Sequence, residues 1–217
     1  MKTDVAHIAV IILLSLMLGL VNLPGMAADM KPPSETLAGL KPGVSSVKDA
    51  VQQLGSYSII TTGWTEFYAG GGRATSAYNW TIGGGYGTRA LSVETTVGQT
   101  TVNVVLVDRH PLFGTSRGLR VFMPESDVWA RYGMPDYAFE WTVLRPSVVE
   151  LFYLDEGLIV VLSQVPGRLN WTITKLILTY PSYLFNAVSM RERQSLATHQ
   201  VIDITRSYLV WTRMAQP

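Results

Sequence analysis

The 217-residue chain contains no cysteine and little charge: charged side chains make up 15% of it, 17 basic against 16 acidic. The missing cysteine excludes disulfides, thiol catalysis, thiolate metal sites and lipid attachment through an N-terminal cysteine. A formal net charge of +1 leaves no basic excess for phosphates and argues against nucleic acid as a partner. Disorder needs low hydrophobicity with high net charge, and 47% hydrophobic residues argue against that too. Long apolar runs are also missing. The longest, Ile8 to Val21, is closed by Pro24-Gly25 and falls short of the roughly 20 residues a spanning helix needs. What remains is a neutral globular chain, rich in glycine and aromatics, long enough to bury one core or two small ones.

The chain starts with a short polar stretch containing Lys2 and Asp4, followed by the apolar run and then by Gly25-Met26-Ala27-Ala28. That is the order of a secretory signal peptide, so residues 1–28 are predicted to be cleaved after Ala27 or Ala28. The product is expected to be periplasmic or extracellular, with no stable membrane anchor. Without disulfides, its stability must come from packing and sheet hydrogen bonds.

Two later segments follow one plan. Ser46 with Asp49 three residues on resembles a capping box, although the usual acid there is Glu; Val47, Ala50, Val51 and Leu54 recur at helical spacing, and Gly55 supplies a C-cap. In the second segment Gly118-Leu119-Arg120 answers Gly39-Leu40-Lys41. Glu125 and Asp127 suit a helix N-terminus, and Tyr132-Gly133 answers Leu54-Gly55. Each helix is followed by strand-like runs rich in Thr, Val, Ile and aromatics. The first set spans 59–68, 76–82, 89–97 and 101–107; the second spans 137–144, 148–154, 158–165 and 170–180. Leu91, Val93 and Val97 alternate with Ser92, Glu94 and Thr96, which predicts one wet face for the first sheet. The expected fold is therefore α+β, with two tandem units, each a short helix followed by an antiparallel three- to four-stranded sheet. The first unit covers 29–108, the second 109–181, and a C-terminal helix and strand fill 182–217.

The Gly-Leu-Arg-Val run, the Asp/Glu-started helix, Tyr132-Gly133-x-Pro135 and an Asp-Glu-Gly turn before Leu-Ile-Val-Val resemble the BamE/SmpA/OmlA-like domain. A tandem pair of exported helix-plus-sheet units also resembles the β-lactamase-inhibitor-protein family. The similarity covers roughly residues 37 to 180. Phe122 stands where the family often places glycine, Ser56-Tyr57 replaces the x-Pro of the first unit, and the lipobox cysteine is absent, so lipid anchoring is not carried over. The resemblance implies a noncatalytic exported binding or assembly module without naming its partner.

Residues suited to catalysis are few. Gly114-Thr115-Ser116-Arg117-Gly118 matches G-x-S-x-G, but Pro111 precedes it in a loop and an extended piece follows, whereas a nucleophile elbow needs a strand before and a helix after. His110 lies two residues from Asp108, the minimum for a histidine-acid base, in what reads as a solvated loop. Metal binding needs three or four converging ligands, so no metal and no cofactor are expected. The clusters Gly70-Gly71-Gly72 and Gly83-Gly84-Gly85 read as hairpin turns, since no helix follows either to make a phosphate cradle.

The aromatics Trp64, Tyr68, Tyr78, Trp80 and Tyr86 crowd the first sheet and its turns. Core packing accounts for such a set; if one face is exposed, the same residue types make protein contacts or stack on sugars. Asn79-Trp80-Thr81 and Asn170-Trp171-Thr172 match the glycosylation sequon and are taken as chance. The expected function is noncatalytic binding through sheet faces, of another protein or an envelope component, as an inhibitor or assembly factor. An envelope-glycan binder and a small hydrolase using Ser116 or His110 are the alternatives.

Overall fold

The computed structural model describes residues 30–64, 74–81, 89–144, 147–164, 170–198 and 200–208. The expected signal peptide and both glycine clusters lie outside them. The first helix, α1 (Val47–Leu54), starts where Ser46 Oγ accepts from the Asp49 N–H and Asp49 Oδ2 accepts from the Ser46 N–H. It ends at Gly55, whose φ of +81° is open to glycine at no steric cost. The second, α2 (Glu125–Tyr132), follows Pro124 and carries Glu125 and Asp127 in its first turn and Arg131 in its last. These charges complement the helix dipole. Between the two, Phe122 takes φ +72°, a left-handed conformation that costs a side-chain-bearing residue about 1–2 kcal/mol. It is held there because its N–H donates to the Ile173 carbonyl while the Ile173 N–H donates to the Met123 carbonyl.

The strands are β1 (Ile59–Trp64), β2 (Ala74–Thr81), β3 (Arg89–Thr96), β4 (Val104–Asp108), β5 (Tyr137–Trp141), β6 (Val148–Tyr153), β7 (Leu158–Gln164), β8 (Trp171–Thr179) and β9 (Val201–Asp203). Among the described residues they form one nine-stranded antiparallel sheet in the order β1-β2-β3-β4-β8-β7-β6-β5-β9. This corrects the expected α+β pair of tandem helix-plus-sheet units: the fold is predominantly β, and the two meanders are halves of a single sheet. The join is β4 against β8, with Val105 opposite Leu178 and Val107 opposite Leu176. The physical reason lies in those two strands. Where they pair, residues 104–107 and 176–178 are apolar on both sides, the pattern of interior strands, and neither stretch tolerates an open edge.

Register runs unbroken across the join. Trp80, Leu91, Val107, Leu176, Val160, Leu151 and Ala138 are successive partners and form one row on one face. All are buried, in one core with Leu37, Leu40, Ala50, Leu119, Val121 and Val128 from the loops and helices above. Each such aliphatic side chain contributes about 1.5–3 kcal/mol relative to exposure. The wet-face expectation for β3 holds only partly, because Ser92 is fully buried while Glu94 and Thr96 are half-buried.

The opposite face carries Phe139, Glu150, Phe152 and Ile159. Across it lies the helix α3 (Pro181–Thr198), which buries Tyr183, Leu184, Ala187, Val188 and Arg191. Arg191 makes two bonds to the Glu150 carboxylate, at 2.6 and 2.9 Å, and its guanidinium lies 4.4 Å from the Trp141 ring centre. Beyond α3, β9 is only three residues long, shorter than the closing strand expected over 201–212, and a helical turn at 205–208 follows. The turn is pinned beside β5 by Ile204 N–H to the Ala138 carbonyl and by Ala138 N–H to Thr205 Oγ1.

Candidate functional site

Of the aromatic set, Trp80 and Tyr78 lie on the face beneath α1. Trp80 is 5% exposed, and its Nε1–H donates to the carbonyl of Gly55, tying β2 to the end of α1. Tyr78 is half-buried, with its ring edge-on to Tyr57 at 5.1 Å. Trp64 ends β1, and its side chain lies outside the described residues, as do Tyr68 and Tyr86. The described members therefore build the core and offer little surface.

The two candidate catalytic serine and histidine positions are occupied differently from what a hydrolase needs. Ser116 donates both its hydroxyl and its backbone N–H to Glu35 Oε1. Glu35 also accepts from the Thr36 N–H and, on Oε2, from the Tyr132 hydroxyl at 2.6 Å. Burial pushes the Glu35 carboxyl up, and these hydrogen bonds outweigh it, holding the group below its ordinary value. His110 Nδ1 accepts from the Leu112 N–H, while Asp108 faces Lys175 and Arg109, each at 3.9 Å. Among the described residues no group of three His, Asp or Glu is placed to hold a metal ion.

A pocket of about 320 Å³ lies elsewhere on the face that carries α1 and α2. Its floor is sheet: Glu140 of β5 sits opposite Val149 of β6, and Trp171 opens β8. Its walls are Glu125, at the start of α2, and Ile204, Ser207 and Tyr208 of the C-terminal turn. The geometry follows from helix spacing. Glu125 and Trp129 are one turn apart on α2 and so reach the same point. Trp129 Nε1–H donates to the Tyr208 hydroxyl at 3.1 Å, and that hydroxyl donates to Glu125 Oε1.

Glu125 is 7% exposed. Burial raises its pKa, and the bond from Tyr208 offsets this only in part. Burial beside Glu125 also pushes the Tyr208 phenol far up, so it stays protonated and remains the donor. Among the described residues Tyr208 alone hydrogen-bonds the Glu125 carboxyl, leaving Oε2 without a partner. Among the described residues neither Glu125 nor Glu140 is in an ion pair and no basic residue lines the pocket. Chemically this is an apolar cleft with two acceptors, one of them a carboxyl whose proton state responds to what enters.

In the sequence Glu125 carries only a helix-dipole signal, and Glu140, Trp171 and Tyr208 carry no site motif. One signal was present: period-two alternation puts Glu140 on the same face as buried Ala138. Trp171 was visible only as part of a chance sequon, and Tyr208 was expected in a strand. No protein-family model, no curated protein sequence and no solved structure matches the chain.

Proposed function

We propose that the chain is an exported, noncatalytic binding module that holds a compact group, carried by another protein or an envelope component, in the pocket between α2, the sheet and residues 204–208. The observation that carries this reading is Glu125: a carboxyl 7% exposed that lines an apolar cleft and, among the described residues, is hydrogen-bonded by Tyr208 alone. A few convergent polar groups in a mostly apolar, preformed cavity are what small-ligand sites consist of. Binding is favoured over hydrolysis because the Ser116 hydroxyl is committed to Glu35, and Asp108 faces cations and not His110. The BamE-like pattern of residues 37–180 agrees with an exported binding or assembly role.

The test is calorimetric titration of the full chain with a panel of small amines, alcohols, acids and sugars. Saturable binding of at least one class is expected, and Ser207→Phe, a bulky change at an exposed residue of the pocket wall, is expected to abolish it. Binding that survives Ser207→Phe unchanged, or no binding in any class, overturns the proposal.

A further inference from the structure

We infer that the group held in this pocket is an organic ammonium on an apolar stem, seated between Glu125 and Glu140 with its stem against Trp171, Val149 and Ile204. The inference rests on the reading of the pocket as a binding site and adds the chemical class of its ligand.

Charge decides first. The lining holds two carboxyl groups and no base, and neither acid is paired with a cation elsewhere among the described residues. An anionic ligand would meet like charge with no cation to offset it, only the neutral donors of the Ser207 hydroxyl and the Trp171 indole N–H. An unpaired carboxyl as buried as Glu125 is costly, and its unpartnered Oε2 is where a donor from outside restores the balance. An ammonium supplies up to three donors and the missing charge.

Shape and surface decide next. Val149, Trp171 and Ile204 give a mostly apolar lining, so the body attached to the cation must itself be apolar to gain by entering. The half-buried Trp171 indole adds a face that attracts a cation. A volume of about 320 Å³ equals roughly ten water molecules at ~30 Å³ each, enough for a benzylamine-sized ligand or the end of a lysine side chain. A neutral sugar fits less well, because its many hydroxyls need donors as well as acceptors and the walls offer few.

The experiment uses three probes of matched size, benzylamine, benzyl alcohol and benzoate, and a larger sugar, N-acetylglucosamine, on the full chain, measured by calorimetry at neutral pH. Benzylamine is expected to bind at least tenfold more tightly than benzyl alcohol, with benzoate and the sugar not binding. Glu140→Gln, nearly isosteric, should weaken benzylamine about tenfold and so narrow its margin over benzyl alcohol. Nα-acetyl-lysine methylamide separates a free amine from a peptide-borne lysine; the tighter of the two cations identifies the source.

Equal affinity for benzylamine and benzyl alcohol, both lost in Ser207→Phe, overturns the ammonium assignment and leaves the binding reading standing. So does preferential binding of the sugar. Failure of every probe overturns both. The probe comparison is made on the unaltered chain and does not depend on any variant folding.

Discussion

Ser116 and Glu35, 81 positions apart, are joined twice, since hydroxyl and backbone N–H of the serine both donate to one carboxylate oxygen. With Tyr132 on the other oxygen, the glutamate fastens the segment before Leu37 to the 114–118 loop and to the end of α2. Glu35→Gln keeps the volume but replaces a charged acceptor by a neutral amide. It is expected to cost about 2 kcal/mol at neutral pH, read by urea unfolding. Because the folded-state pKa is held below 4.5, the charged group's contribution is present above that pH and fades as pH falls through the lower folded value. The gap between wild type and variant should therefore close in acid. A gap that does not change with pH would show that the carboxylate's charge is irrelevant to the clamp.

The Glu150–Arg191 pair holds α3 on the far face of the sheet, with 6% and 5% side-chain exposure. Removing one partner leaves the other buried and uncompensated, so Arg191→Leu is expected to lose about 3–5 kcal/mol. The double variant Glu150→Leu, Arg191→Leu should recover most of that loss, since neither charge then remains to be desolvated. A denaturation double-mutant cycle reads the coupling directly. Independent, additive losses would contradict the buried-pair account.

Local rules are what made much of the fold readable. Ser46, Asp49 and Gly55 mark α1 through capping chemistry confined to a dozen residues, and the turn at Asp155–Gly157 needs glycine because Gly157 has φ +69° with the Thr179 carbonyl directly over it. Pairing partners 73 residues apart carry no such local mark. Val105 finds Leu178, and nothing within either segment names the other, so two meanders looked like two sheets. The pocket was hidden for the same reason. Glu125, Glu140, Trp171 and Tyr208 come from four elements, and only the tertiary path of residues 204–208 brings Tyr208 over α2.

A fragment ending at Asp108 tests the single sheet. Its last strand would expose Val104, Val105 and Val107, which are at most 1% exposed in the whole chain. An open apolar edge of this kind templates association with other chains. The fragment is expected to aggregate or remain unfolded on size-exclusion chromatography and circular dichroism, while the full chain gives one cooperative transition. A soluble, cooperatively folding fragment would mean that β8 is dispensable to β4.

The last prediction concerns the proton on Glu125. The groups facing this carboxyl are Tyr208, which donates to it, Glu140 across the pocket, and Tyr153, whose phenol senses its charge. Both phenols are pushed far up by burial and stay neutral, and among the described residues no cation pairs with Glu125 to favour ionisation. Its raised pKa means that the free protein gains stability from the protonated form below 4.5 and loses it as pH climbs through the folded value. An entering ammonium reverses the preference, because it pairs only with the carboxylate. Benzylamine affinity is therefore expected to rise with pH across that same window and then level off. Proton release should appear as a binding enthalpy that depends on the buffer's own ionisation heat. Glu125→Gln should flatten the affinity profile, remove the buffer dependence and raise stability at neutral pH, where the wild type keeps a buried group under pressure to ionise. If the variant binds benzylamine with the wild-type pH profile, the ammonium does not meet Glu125.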